Sequence, residues 1–429
     1  MRLWSTTALL TIIPASATAY WLPETPGTSF TTCIVPKNTT GDDDSPSITA
    51  TVAACSNNSR IIFSGSETYN LLTPISFTGL ENVEFAINGN ISLPSNVSYI
   101  ESVVGNSKLY PGHWITIKSS TDVTFTGSED ATAGWFIGHG EQWWPLTNNS
   151  DNKYRPHFFS FKVTSLRLRH VKIHNPVAWV FSLSGTDIYI TNTTLDARSE
   201  DPINAFPINT DGIDLSGTNV VIDGWTSWNG DDIINVSPPA TNLTMRNIVA
   251  YGTHGVSVSC SSGIGGDYLF EDAVIYDSLF GARFKSSVGT TCNLNNVTWR
   301  NFAVFNTSYP IHFIEDYVDQ EVGVSAGTNT SLAAYANNFT WENIVTFTSE
   351  TLSDGSCLTD PCWAYTEGQS NRKGLYMLCA DEAHCRDFHF RNVVLFGSDG
   401  KVGEMECAGL EGVTGMGIPC TNGTLPGQS

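Results

Sequence analysis

One phrase recurs along this chain: a polar lead-in, a short run of alternating apolar residues, an Asn or Asp, then a second apolar pair. It reads ENVEFAINGNISL at 81–93, TNVVIDGWTSWN at 218–229, TNLTMRNIVAYG at 241–252, NNVTWRNFAVFN at 295–306, NNFTWENIVTFT at 337–348 and RDFHFRNVVLFG at 386–397. Each copy predicts two short strands joined at a polar corner. Successive starts fall roughly 22–32 residues apart through the middle of the chain, with wider gaps after Tyr317 and Glu350. A period of that size, rich in Thr, Val and Ile and without helical periodicity, means coils stacked on coils. A propeller blade needs about 40–50 residues and four antiparallel strands with tight hairpins, and sandwiches would not repeat in fixed register. The expected architecture is all-β, a single-stranded right-handed parallel β-helix (solenoid) with N- and C-terminal capping segments. The caps are placed at about 20–80 and in the Cys-rich tail at about 397–429, because an uncovered last coil offers unpaired backbone to other chains. Residues 20–429 would then form one domain, interrupted by an aromatic-rich excursion at 134–162 of the kind that carries ligand contacts on a rigid scaffold.

The chain carries 42 acidic and 21 basic residues, a net charge of -21, which repels nucleic acid and anionic lipid. Residues 1–19, MRLWSTTALLTIIPASATA, read as a signal peptide: one basic residue, an apolar stretch, and a small-residue site before Tyr20. Ten cysteines and thirteen Asn-X-Ser/Thr sequons agree with a secreted, extracellular protein, with disulfides expected between sequence neighbours. Asn235 is the sequon expected to stay unmodified.

Chemistry is expected where polar residues recur at coil spacing. Asp211 and Asp232 are 21 residues apart, His254 follows after 22, Arg283 after 29 and Tyr309 after 26. Equal phase on adjacent coils means a separation of about 4.8 Å. Asp211, Asp231, Asp232, His254, Arg283, Lys285 and Tyr309 are therefore predicted to form one vertical file. Taken singly, each Asp is a common turn former, Asn209 could belong to an asparagine ladder, and a lone His is usually a surface residue. Together they crowd three carboxylates, so that at least one should keep its proton above the usual range. An acid beside a base at mildly acidic pH is what glycosidic cleavage requires. Arg283 and Lys285, two apart on a strand, point the same way and suit a substrate with its own carboxylate.

These residues resemble the polygalacturonases and relatives of glycoside hydrolase family 28. The family's N-T-D, G/Q-D-D, G-H-G and R-I-K blocks, with a Tyr one coil later, stand here as Asn209-Thr210-Asp211, Gly230-Asp231-Asp232, Thr253-His254-Gly255, Arg283-Phe284-Lys285 and Tyr309. The resemblance implies a pectin-hydrolase domain that cleaves α-1,4-galacturonosyl linkages with inversion. It makes Asp231 the general acid, gives Asp211 and Asp232 the attacking water, and has His254 support the acid's protonation. Arg283 and Lys285 would bind the galacturonate carboxylate, with Asn209 and Tyr309 in adjoining subsites. It implies no cofactor and no metal, an acidic polysaccharide as partner, no nucleic acid, no membrane, and a monomer. Ile233 replaces the family's Cys after the Asp pair, so the local disulfide is absent and Cys260 with Cys292 is its candidate substitute. The family's rhamnogalacturonan hydrolases typically lack the His, so His254 favours galacturonan; Gly212 and the 134–162 excursion look like exo-acting members. The alternatives are an exo-acting rhamnogalacturonan or xylogalacturonan hydrolase, a calcium-dependent pectate lyase, and a non-catalytic polysaccharide-binding β-helix.

Overall fold

The computed structural model describes residues 30–39, 42–146, 154–317 and 332–423, apart from positions 352, 358–361, 367, 412, 414, 419 and 421. The expected signal peptide at 1–19 lies outside the described residues. Every ladder between named strands is parallel, and each strand pairs with others one coil before and after it. On one wall Phe181 sits beside Ile213, Ile213 beside Ile234, Ile234 beside Val256, Val256 beside Ala282, and Ala282 beside Ile311. On another, Ile222, Met245, Phe270, Trp299, Trp341 and Phe390 follow one another inward. The chain is thus a parallel β-helix, and one apolar core runs through it from Val35 to Met416.

The repeated phrase explains itself at its corners. Asn219, Asn242, Asp267, Asn296, Asn338 and Asp387 all adopt the left-handed backbone conformation, as do Asn247, Asp272, Asn301, Asn343 and Asn392 five residues later. Asn and Asp tolerate that region best among residues with a side chain, so the polar corner residue is what lets an alternating strand turn without glycine. The side chains then bond from coil to coil: Asn301 to Asp272 at 2.9 Å, Asn343 to Asn301 at 3.0 Å and Asn392 to Asn343 at 3.1 Å. Inside, rings stack at the same phase, Phe270 on Trp299 at 5.7 Å, Trp299 on Trp341 at 5.4 Å and Trp341 on Phe390 at 4.8 Å. Burying each such side chain stabilises the fold by roughly 2–3 kcal/mol.

Pairing begins earlier than the repeated phrase does. Thr31–Ile34 already lies against Asn57–Phe63, and Asn57–Phe63 against Glu81–Ile87, within the stretch expected to act only as a cap. A short helix, Ser45–Ala54, buries Ile48 and Val52 at this end. At the other end Glu404–Ala408 pairs with Lys373–Leu378, and antiparallel bridges join Phe396 to Val402 and Met405 to Gly423. Five disulfides join sequence neighbours: Cys33–Cys55, Cys260–Cys292, Cys357–Cys362, Cys379–Cys385 and Cys407–Cys420. Among the described residues no helix is long and apolar enough to cross a membrane.

Candidate active site

The predicted residues converge on the wall that carries Ile213–Leu215, Ile234–Val236 and the start of Val256–Tyr276, in two files rather than one. Asp211, Asp232, His254, Phe280 and Tyr309 each stand two residues before their strand's first inward position, following Trp179 on the preceding coil. Arg283 stands three residues further on, paired with Ser257, in the neighbouring outward file of Ser182, Asp214, Asn235, Ser257, Arg283 and His312. The single file expected from sequence intervals is therefore corrected. Equal counting fails because turns differ in length, and the true coil partner of His254 is Phe280.

The three carboxylates nonetheless come together: one oxygen each of Asp211, Asp231 and Asp232 lie within 4.8 Å of one another. Exposures of 6%, 9% and 0% remove them from solvent. Both oxygens of Asp232 are taken by bases, Oδ1 by Arg283 at 3.2 Å and Oδ2 by Lys285 at 2.8 Å, while the Ser257 hydroxyl donates to Oδ1 at 2.5 Å. Asp231 accepts from the His254 Nδ1 side at 3.1 Å and from Asn209 at 3.2 Å. Asp211 is different: its Oδ1 is buried with no hydrogen-bond partner. Such a trio could hold a cation, but Arg283, Lys285, His254 and the nearby Arg155 already offset its charge.

The environment separates the acids. Burial, with Asp231, Asp214 and Asp232 beside it, holds the Asp211 carboxyl well above the ordinary carboxylate range. Burial also acts to raise Asp231, but the charge and hydrogen bond of His254, backed by Lys285 and Arg283, outweigh it and keep that group ionised. Burial pulls His254 down, yet Asp231 and Asp354 overcome it and push the imidazole up to about 10. These surroundings favour a proton on Asp211 and on the His254 ring over one on Asp231. The sequence expectation that crowding keeps one acid protonated holds, and geometry names which one.

Tyr309 is fully buried: its ring stacks on Phe280 at 5.1 Å and its hydroxyl accepts from the Thr366 amide at 3.3 Å. Asn209 keeps a corner residue's left-handed backbone but bonds into the acid cluster, and its Oδ1 accepts from Arg155 at 2.5 Å. Gly212 has a packing reason, since a Cβ there would meet the Ile233 carbonyl at 2.5 Å and the Trp225 ring at 2.7 Å. In the 134–162 excursion Trp143 and Trp144 are buried rather than presented to a ligand, and residues 147–153 lie outside the described ones. Asn235, half-buried, bonds with Asp214 and Ser259 in the outward file.

Sequence reasoning missed four contributors. Asp214, three residues past Asp211, is a fourth, half-buried acid whose carboxyl is pushed up to about 7 by burial and by Asp232; its outward place in Ile213–Leu215, just after Asp211, was a usable signal. Arg155 is the base that the excursion lends to the cluster. Asp354 and Trp363 arrive from the insertion after Glu350, where no periodicity points to a phase. Asp354 accepts at 3.1 Å from the far nitrogen of His254, and Trp363 lies 5.5 Å from the same ring.

A buried acid trio, split in proton affinity and flanked by cations on a parallel β-helix, is the setting for hydrolysing an acidic glycan. The family described as Glycosyl hydrolases family 28 matches residues 34–415. The chain belongs to this family. It is therefore a glycosidase. It is 33% identical over 415 residues to a "Probable exopolygalacturonase C" of Neosartorya fischeri, covering 92% of each chain, and 33% identical over 432 residues to one of Aspergillus oryzae, covering 97% of each. Among solved structures, endo-xylogalacturonan hydrolase from Aspergillus tubingensis shares the fold at a TM-score of 0.74 and 21% identity, over 92% of this chain and 100% of the other. A hyperthermoactive exopolygalacturonase from Thermotoga maritima does so at 0.62 and 14%, over 89% and 92%.

Proposed function

We propose that this family 28 enzyme is an extracellular, monomeric polygalacturonase that removes galacturonate from chain ends of pectin with inversion. The observation that carries the substrate assignment is Arg283. Its guanidinium is 1% exposed, lies over the Phe280 ring at 3.9 Å, and leaves Nε and one terminal nitrogen without any partner, beside Lys285. Unmatched buried donors of this kind call for an acceptor that arrives with the ligand, and a galacturonate carboxylate supplies it. The exo mode is supported by the names of the relatives at 33% identity. A right-handed winding follows the general handedness of parallel crossovers.

In this reading Asp231, ionised at rest, takes a proton from the His254 ring through their 3.1 Å hydrogen bond and passes it to the leaving oxygen as the glycosidic bond breaks. Asp211 and Asp232 hold the attacking water, whose proton passes to the Asp232 carboxylate as its oxygen bonds to the anomeric carbon. Asn209 and Tyr309 shape the adjoining subsites, Asn209 directly and Tyr309 through Phe280. Inversion rests on the family resemblance, because acid oxygens within 4.8 Å of one another are closer than the ~6.5–9.5 Å usual for inverting pairs.

The test is to incubate the protein with polygalacturonate and, separately, with rhamnogalacturonan oligomers, following product sizes and the first-formed anomer by proton NMR. Monomeric β-galacturonate from the first minute, from polygalacturonate only, is the expected result. Unsaturated uronides would replace this reading with a lyase, and early intermediate-length oligomers would remove the exo assignment.

A further inference from the structure

We infer that Asp354 is a positioning residue for this hydrolase, holding His254 as a doubly donating imidazolium aimed at Asp231. The inference rests on the glycosidase reading and adds a residue to it from outside the repeating coils. His254 is 2% exposed, and its two ring nitrogens face two carboxylates, Asp231 Oδ1 from Nδ1 and Asp354 Oδ2 from Nε2, each at 3.1 Å. A neutral imidazole donates from one nitrogen only, so donating to both carboxylates at once requires both ring protons.

Asp354 is itself held. Its other oxygen accepts from the Ser356 amide at 2.8 Å and from the Ser356 hydroxyl. That hydroxyl oxygen in turn accepts from Trp363 Nε1 at 3.4 Å, and Cys357–Cys362 ties the two halves of the loop together. Trp363 returns to the site, 5.5 Å from the His254 ring and 5.6 Å from the Arg283 guanidinium. The loop therefore touches the proton-bearing ring and the carboxylate-binding base at once. Of the other titratable or charged groups around His254, Asp232 stands beside it on the preceding coil with both oxygens held by Arg283 and Lys285, and Arg283, His312 and Tyr309 lie across the Phe280 ring, which His254 meets edge-on. None of these accepts a proton from Nε2, so Asp354 is the group that decides that nitrogen's state.

The experiment compares wild type with Asp354→Asn and Asp354→Glu on polygalacturonate across pH 3–8, with thermal unfolding measured in parallel. Asp354→Asn should lower kcat about tenfold with KM nearly unchanged, and shift the alkaline limb of the profile to lower pH by about one unit. Asp354→Glu, which restores a carboxylate, should recover most of the loss. A superimposable profile and kcat for Asp354→Asn overturns the inference, as does a loss matched only by a fall in the folded fraction. The ¹⁵N signals of the His254 ring, followed against pH, read the same effect without turnover. Wild type should keep both ring protons to higher pH than Asp354→Asn, and identical titrations overturn the inference. Wild type that leaves polygalacturonate uncut while its His254 ring still titrates above the variant's removes the substrate reading alone.

Discussion

Two parts of this molecule use the same device to opposite ends. At the outer corners Asn and Asp residues stack coil on coil, exposed, each side-chain amide donating to the oxygen of its neighbour, as Asn343 does to Asn301 and Asn392 to Asn343. At the wall ahead of Ile213 and Ile234 acids stack at the same spacing, but they are buried and there are no amides between Asp211 and Asp232. Stacking is cheap where each acceptor meets a donor and water is near. In the buried site the donors are shared unevenly: His254 lowers Asp231, Arg283 and Lys285 take both oxygens of Asp232, and Asp211, raised by burial, keeps an unpartnered Oδ1.

The sharpest way to break the contrast is to put an amide into the acid cluster. Asp231→Asn should lose at least about a hundredfold in kcat, a typical general-acid contribution, in initial-rate assays on polygalacturonate. Arg283→Lys should act next most strongly, raising KM about tenfold by removing the fork that grips a carboxylate while leaving a positive charge; KM unchanged, with kcat reduced, would put the carboxylate elsewhere.

Asp211→Asn separates stability from activity. Because the folded carboxyl is held above its unfolded value, its stabilising share is present below about pH 4 and is lost as pH rises through the raised value. An Asn has no such loss. The variant should be inactive yet more resistant to urea than wild type at pH 8, by about 1 kcal/mol, with the gap closing towards pH 4. His254 runs the same way in a higher window, its contribution complete below about pH 6.5 and lost as pH climbs to about 10. On the ladder, Asn343→Ala should cost about 1–2 kcal/mol in urea unfolding, through a strained left-handed alanine and two lost hydrogen bonds, without altering kcat. The smallest effect is expected from EDTA, which should leave the rate unchanged, because protein cations already balance the acid trio; loss of activity on chelation would mean that a metal completes it.

Much of the fold was legible because its cause is local and repeated. The polar corner, the inward alternation and the coil period are all written in phrases such as TNLTMRNIVAYG, and each copy votes for the same winding. The acids were legible because they sit close to strand starts, where phase can be counted from the repeat. Arg283 and Lys285 reach Asp232, but not from the file the intervals predicted, because the count ran across a turn whose length differs from its neighbours. Tyr309 was placed in the right file but at the wrong depth, since burial by the segment at 362–366 is not a property of Tyr309's own coil. Asp354 was invisible because nothing in an insertion fixes which coil it visits.

The amino-acid order alone determined that this chain winds, where its corners fall, and that carboxylates recur at coil spacing, because those properties depend on a few consecutive residues at a time. Tertiary structure alone decided which acid holds the proton, which base reaches which oxygen, and that a disulfide-clasped loop a hundred residues away completes the histidine. Proton affinity in a dry cluster depends on every charge within a few ångströms, and such neighbours are brought together by packing, not by sequence distance.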